Sequence, residues 1–210
     1  MTAPLMFQDR RIPLVLASTS HIRARLLENA GLRFDVVAPQ VDEASVRQTL
    51  NTDGQGCPPS DVAVLLAGTK AMAVSQVRPE AIVIGADQVL DLEGTILEKP
   101  RSREDAQQQL LALRNRRHAL ISAVACARDG NIIWSHDDTA ILEMRDFSLD
   151  FLARYLEQVG DEVQSSVGGY KLEAEGIHLF SSIRGDYFTI LGLPLLPLLA
   201  YLRSCQVIVD

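Results

Sequence analysis

Cysteine is scarce. Cys57, Cys126 and Cys205 are the only three in 210 residues, and no two stand in a CxxC spacing. Such an odd, scattered set excludes a disulfide framework and suits a reducing cytosol. Long apolar runs are also missing. Arg10-Arg11 before Ile12–Ala17 mimics an export signal, but six apolar residues are too few for a signal core. Leu191–Leu202 is interrupted by Pro194 and Pro197 and is too short to span a bilayer. A cytoplasmic protein with no membrane partner is expected. Positive charge is in deficit: 20 Lys and Arg against 27 Asp and Glu leave a net −7. That excludes a broad nucleic-acid surface, which needs many cations against phosphates. A small phosphorylated ligand needs only a few local cations, and an acidic chain can supply carboxylates to a divalent metal. Three catalytic signatures are absent: HExxH, GxxxxGK followed by Ser or Thr, and GxSxG. The four histidines, His21, His118, His136 and His178, show no ligand spacing and read mostly as surface or turn residues.

What is present is an ordinary globular composition, 47% hydrophobic and 22% charged. The length suits a single domain over residues 1–210, and it is enough to bury a core. Leu14–Ala17 and Ala81–Gly85 read as buried strands and Phe34–Ala38 as a further strand. Helices are expected over Arg23–Ala30 with Gly31 at its C-terminal end, from Ser60 to about Val77, and from Ser102 to about Leu113. Asn51–Pro59 is a polar loop. Asp129-Gly130 marks a hairpin between Ala119–Ala127 and Asn131–Ser135. The alternation Ala140, Leu142, Met144 predicts another strand. Then come a helix over Ser148–Gln158, short strands near Ile177–Ser181 and Tyr187–Leu191, and a last helix near Leu195–Arg203. Strands alternating with helices predict an α/β fold with a mixed, twisted sheet and helices on both faces.

Five segments could carry chemistry. Ser18-Thr19-Ser20-His21-Ile22-Arg23 joins a strand to a helix, where backbone N–H groups, hydroxyls and a guanidinium bind anions. Taken alone, it is equally an N-cap followed by a surface Arg. Val41-Asp42-Glu43 offers carboxylates that could also be simple partners of a helix dipole. Lys70 falls on the apolar stripe Ala63, Leu66, Ala67, Ala71, Val74, where a lysine either snorkels outward or serves a site. In Ile82-Val83-Ile84-Gly85-Ala86-Asp87-Gln88, a carboxylate follows an apolar strand, at the end where open α/β sheets bind ligands. It could also be a turn Asp. In Glu98-Lys99-Pro100, the proline biases Lys99 to an extended backbone that could aim its amine at a phosphate; a surface turn is the alternative. Together these carboxylates, lysines, arginine and hydroxyls are the parts phosphoryl chemistry requires.

Their order and spacing resemble the Maf family of nucleotide pyrophosphatases over nearly the whole chain. The residues concerned are Leu16-Ala17-Ser18-Thr19-Ser20 with Arg23, Val41-Asp42-Glu43, Lys70-Ala71, Gly85-Ala86-Asp87-Gln88-Val89, Lys99-Pro100 and Gly192-Leu193-Pro194-Leu195. The resemblance implies an inosine-triphosphatase-like fold with two lobes around a cleft. It implies hydrolysis between the α and β phosphates with Mg²⁺ or Mn²⁺. Asp87 matches the general base and a metal carboxylate, Glu43 a metal ligand, and Ser18, Arg23, Lys70 and Lys99 phosphate contacts. Gln88, with Glu173 in Gly168-Gly169-Tyr170-Lys171-Leu172-Glu173, is similar to the 7-methyl-GTP branch, where dTTP- and UTP-directed members carry Thr and Gln. A carboxylate at 173 can accept from guanine N1–H and its amino group, or face the positively charged ring of a methylated guanine. The pattern departs at Ser20-His21-Ile22-Arg23, where the family has Ser-Pro-Arg-Arg. Ile22, at a position tied to substrate choice, cannot hydrogen-bond. Glu98 also replaces a glycine. Broad house-cleaning of nucleotides and a non-catalytic, division-restraining nucleotide binder are the alternative functions. A homodimer is the expected assembly.

Overall fold

A computed structural model of the chain describes residues 7–9, 11–50 and 57–209, excluding the side chains of 48–50. Arg10 and residues 51–56 of the expected loop lie outside the described residues. The elements are β1 (Leu14–Ala17), α1 (His21–Asn29), β2 (Asp35–Val36), α2 (Glu43–Leu50), α3 (Pro59–Ser75), β3 (Ile82–Leu92), β4 (Thr95–Leu97) and α4 (Arg103–Leu113). There follow β5 (Arg117–Arg128), β6 (Asn131–Met144), α5 (Leu149–Val159), β7 (Phe180–Arg184), α6 (Tyr187–Ile190) and α7 (Leu195–Ser204). Among the described residues the strands form one sheet in the order β2-β1-β3-β5-β6-β7, with β4 paired to β3. β1 runs parallel to β2 and to β3, while β4 and β7 run antiparallel to β3 and β6. The expected α/β class with a mixed sheet is what the chain forms. Among the described residues, no helix is long and apolar enough to cross a membrane.

Four expectations are corrected. The strand expected over Ala81–Gly85 runs on to Leu92, so Asp87 lies inside a strand and not after one. α3 starts at Pro59, with Pro58 at the cap in place of Ser60; proline suits the first helical turn, where an N–H has no partner anyway. Tyr187–Ile190 is a helical turn, not a strand, because the Asp186 carboxylate accepts from the N–H groups of Phe188 and Thr189. The strand expected near Ile177–Ser181 falls on a 3-10 turn, Glu175–Leu179, followed by β7.

The chain forms two compact units. The first holds residues up to Gln88, Ser122–Asp138 and Gly192 onward. Leu14–Ala17 and Ile82–Asp87 are buried at every position. Consecutive burial means both faces of these strands are covered, as in a central parallel sheet. Gly85 lets α3 approach β3. A Cβ at residue 85 would stand 2.7 Å from the Ala71 nitrogen and would collide with the Ala67 carbonyl. α1 begins at Ser20, whose hydroxyl accepts from the Arg23 N–H, and it ends before Gly31 at φ +77°.

The second unit holds Val89–Ile121 and Thr139–Leu191. Its core gathers Leu90, Leu110, Leu113, Leu142, Phe147 and Leu152. Ser102 caps α4 by accepting from the Asp105 N–H, and Asp105 reaches back to the Arg101 N–H. His118 departs from the surface reading of the histidines: it is only 3% exposed. Its Nε2 lies 2.7 Å from the Tyr170 hydroxyl. Burial holds the imidazole down to about 4 from an ordinary 6.5. Between these values the unfolded chain binds a proton at His118 and the folded chain does not. Stability present above pH 6.5 is therefore lost as pH falls to 4, by about 3 kcal/mol. In urea unfolding at pH 7 and pH 4, wild type should lose about 3 kcal/mol more than His118→Phe. Equal losses would show that this imidazole is not held neutral by burial.

Candidate active site

The first unit assembles three of the expected site residues at one ammonium. Lys70 projects from α3 and is 6% exposed; Asp87, on β3, is 5% exposed. Lys70 Nζ donates to Asp87 Oδ1 at 2.6 Å and lies 2.8 Å from Glu43 Oε1. The lysine is therefore held inward by two carboxylates and does not snorkel. Two carboxylates share its charge. The register explains why Asp87 is in reach although its strand continues. The last β1–β3 pair is Ala17 with Gly85, so Asp87 stands two residues past the end of β1, beside the Ser18 loop.

Asp42 and Glu43 divide the roles that the sequence left open. Asp42 caps α2: its carboxylate accepts from the Ser45 N–H at 3.1 Å and from the Ser45 hydroxyl at 2.7 Å. Those bonds, the hydroxyl's foremost, hold the Asp42 carboxyl below its usual range. Glu43, one residue on, turns to Lys70. Its partial burial would raise the carboxyl's pKa. The hydrogen bond and charge of Lys70, with Arg47 and Arg23 behind, more than offset this and leave it below its ordinary value. Asp87 Oδ2 is buried and has no hydrogen-bond partner. An unpaired buried carboxylate oxygen is costly, and such atoms mark places where a ligand or an ion completes the set.

Arg23 is anchored by backbone. Its Nε donates to the Gly192 carbonyl and its Nη1 to the Ala86 carbonyl, both at 2.8 Å. Burial lowers the guanidinium's pKa, and the charges of Asp87 and Glu43 oppose that. The guanidinium thus ties α1 to the Asp87 strand and to the turn before α7. Gly192, at φ +92°, has no side chain to crowd it; a Cβ there would stand 3.3 Å from Arg23 Nη2. The Gly192-Leu193-Pro194 segment stood out in the sequence, but nothing in it named Arg23 as its partner. The Ser18 hydroxyl accepts from the Ser20 N–H at 3.1 Å, so it shapes the loop. Ile22 is half-buried on α1. Gln88 Nε2 donates to the hydroxyl of fully buried Ser122 at 2.9 Å. Sequence reasoning missed Ser122, since a lone Ser inside an apolar strand carries no local signal. Lys99 and Glu173 are exposed and belong to the second unit.

Among the described residues no three His, Cys, Asp or Glu side chains converge as a metal cage. The donor set fits a cation of another kind. Mg²⁺ is commonly held by one or two carboxylates and completed by substrate phosphates and water. Glu43 with the open Asp87 Oδ2 is such a pair.

A family model described as "Maf-like protein" matches residues 13–205. A nucleoside triphosphate pyrophosphatase of Paramagnetospirillum magneticum is 50% identical over 190 residues, 90% of this chain and 97% of that one. A 7-methyl-GTP pyrophosphatase of Brucella suis is 49% identical over 192 residues, 91% and 96% of the two chains. A solved nucleoside-triphosphatase / dITP/XTP pyrophosphatase of Mycobacterium abscessus shares a looser likeness, TM-score 0.42 at 12% identity, covering 92% of this chain and 95% of that one. With its family model spanning almost the full length and relatives near half identity, the chain belongs to the Maf-like protein family.

Proposed function

We propose that this protein is a nucleoside triphosphate pyrophosphatase that hydrolyses the α–β phosphoanhydride, releasing a nucleoside monophosphate and pyrophosphate, with 7-methyl-GTP as its preferred substrate. The observation that carries the reading is the buried Lys70–Asp87 pair with Asp87 Oδ2 left open. A carboxylate oxygen with no other partner can accept a proton from a water aimed at the anhydride. Lys70 and Arg23 fix positive charge beside it, in a setting where burial strengthens their effect on phosphate oxygens. Preorganised charge of this kind stabilises the pyrophosphate as it leaves. Glu43 and Asp87 would hold Mg²⁺ or Mn²⁺, which when bound neutralises phosphate charge and polarises the phosphoryl oxygen. Lys99 as a phosphate contact and Glu173 as the reader of the base rest on the family pattern. The relatives named for nucleoside triphosphates and for 7-methyl-GTP support the activity and its base preference. Three unpaired cysteines support a cytoplasmic setting.

The test is pyrophosphate release from 7-methyl-GTP, GTP, UTP, dTTP and ITP with Mg²⁺. We expect 7-methyl-GTP to lead by at least about tenfold in kcat/KM, the least that one charged contact to the base should supply. Comparable rates on several bases would keep the hydrolysis and remove the preference. Nucleotide binding without pyrophosphate from any substrate would overturn the enzymatic reading.

A further inference from the structure

The aromatic cluster of the second unit bears on how the base is read. His118 and Tyr170 are 3% and 5% exposed, and His118 Nε2 meets the Tyr170 hydroxyl at 2.7 Å. His118 Nδ1 is buried with no partner. A polar pair with one atom left unsatisfied is a worse core element than two apolar side chains of the same shape. Its presence calls for an explanation, and the geometry of Tyr170 offers one. Phe180 packs edge-on against the Tyr170 ring at 4.9 Å and also neighbours His118 at 6.0 Å. The ring is thus held by packing on one side and by a directional bond at its tip.

The backbone around Tyr170 is held as firmly. Tyr155 donates its hydroxyl to the Gly169 carbonyl at 3.1 Å, and Ser166 donates to the Tyr170 carbonyl at 2.6 Å. Gly168 and Gly169 both take positive φ, +74° and +72°. A Cβ on Gly168 would come within 2.6 Å of Leu90 Cδ1 and 2.8 Å of Tyr170 Cε1. Gly176 lies against the Lys171 backbone so closely that no side chain fits between them. Lys171 pairs with Glu162, and Leu172 is buried. Glu173 is the first exposed side chain after this run of anchors. Its carboxylate is therefore carried on a segment with little freedom, and a base-reading group must be held this closely to discriminate.

We propose that His118 is a positioning residue: through its hydrogen bond to Tyr170 it fixes the segment that carries Glu173, and so sets the preference for a guanine methylated at N7 over guanine itself. This rests on the reading of Glu173 as the group that meets the base. His118 touches neither substrate nor reacting atoms.

The experiment is a double-mutant cycle on selectivity, the ratio of kcat/KM for 7-methyl-GTP to that for GTP. Tyr170→Phe removes one hydroxyl and keeps the ring. It should lower the ratio about tenfold, through KM for 7-methyl-GTP, with turnover of GTP unchanged within about twofold. Glu173→Gln should also lower the ratio. In the Glu173→Gln background, Tyr170→Phe should lower it no further. His118→Gln, whose amide can still meet the Tyr170 hydroxyl, should retain more selectivity than His118→Leu. If Glu173→Gln collapses the ratio while Tyr170→Phe leaves it intact, the positioning role is overturned and the base reading stands. If Tyr170→Phe costs both substrates equally, or costs selectivity independently of Glu173, the pair is merely structural and the proposal fails. If Glu173→Gln leaves the ratio unchanged, the base reading fails and the proposal falls with it.

Discussion

Asp87→Asn should bind 7-methyl-GTP within a few-fold of wild type and release pyrophosphate about a thousandfold more slowly, the middle of the range for a positioned general base. The amide has the shape of the carboxylate, so the close packing around it survives. Its oxygen can still accept from Lys70, which now reaches Asp87 Oδ1 at 2.6 Å. What is lost is the second oxygen. At the position of Asp87 Oδ2, buried and without a partner, the variant carries an N–H₂ group. That group cannot take a proton from water, and it presents a donor where an acceptor is needed. Single-turnover pyrophosphate release measures the chemical step, and calorimetric titration measures nucleotide affinity apart from it. A rate within tenfold of wild type would remove Asp87 from the role of base. Lost binding with an intact rate constant at saturation would make it a binding residue instead.

Lys70→Met should destabilise the fold by about 3–5 kcal/mol in urea unfolding, measured in EDTA so that no cation substitutes for the ammonium. Methionine matches the lysine stem, so the apolar contacts of α3 remain. The charge does not. Asp87 is buried, and removing its counter-charge leaves a carboxylate with neither water nor partner. Glu43 is in a different position. Its side chain is 44% exposed, so solvent can replace its share of Lys70. Glu43→Gln should accordingly cost under about 1 kcal/mol, as for a water-screened pair. The contrast between the two variants is the test. Equal costs would mean that burial does not separate the two carboxylates, and that the lysine is a surface cation despite its position on the apolar stripe.

The parts of this site legible in the sequence were those with a local cause. Lys70 was conspicuous because a charge on an apolar helical face has few explanations. Asp87 was conspicuous because it follows Ile82-Val83-Ile84, even though the strand was expected to stop before it. That error has a physical origin. A Gly-Ala-Asp-Gln sequence has the look of a turn, and the pairing of β3 with β5, contributed by residues further along the chain, leaves no mark in it. Asp42 and Glu43 could not be told apart until the Ser45 bonds showed which of them caps α2. The hold of Arg23 on Gly192, across 169 positions, and of Gln88 on Ser122, across 34, are products of folding with no trace in local sequence. His118 was misplaced at the surface because a histidine in an alternating stretch carries no mark of which face it takes. Two helix starts were readable, since Ser102 and Ser148 each accept from an N–H three residues on. The α3 start was not, because Pro58-Pro59 did the work expected of Ser60.

The contact at Gly85 bears on how much motion the chemistry can tolerate. Lys70 rides on α3 and Asp87 on β3, and these two elements touch backbone to backbone at Ala67, Ala71 and residue 85. Helix and strand therefore have little room to rock or slide against each other. Layers spaced by ordinary side chains have some slack, because a rotamer can give. Here the spacer is one hydrogen atom, which has no rotamer. The approach of α3 to β3 is thus set by backbone contact at residue 85, while the Lys70 side chain keeps its own torsions to follow Asp87.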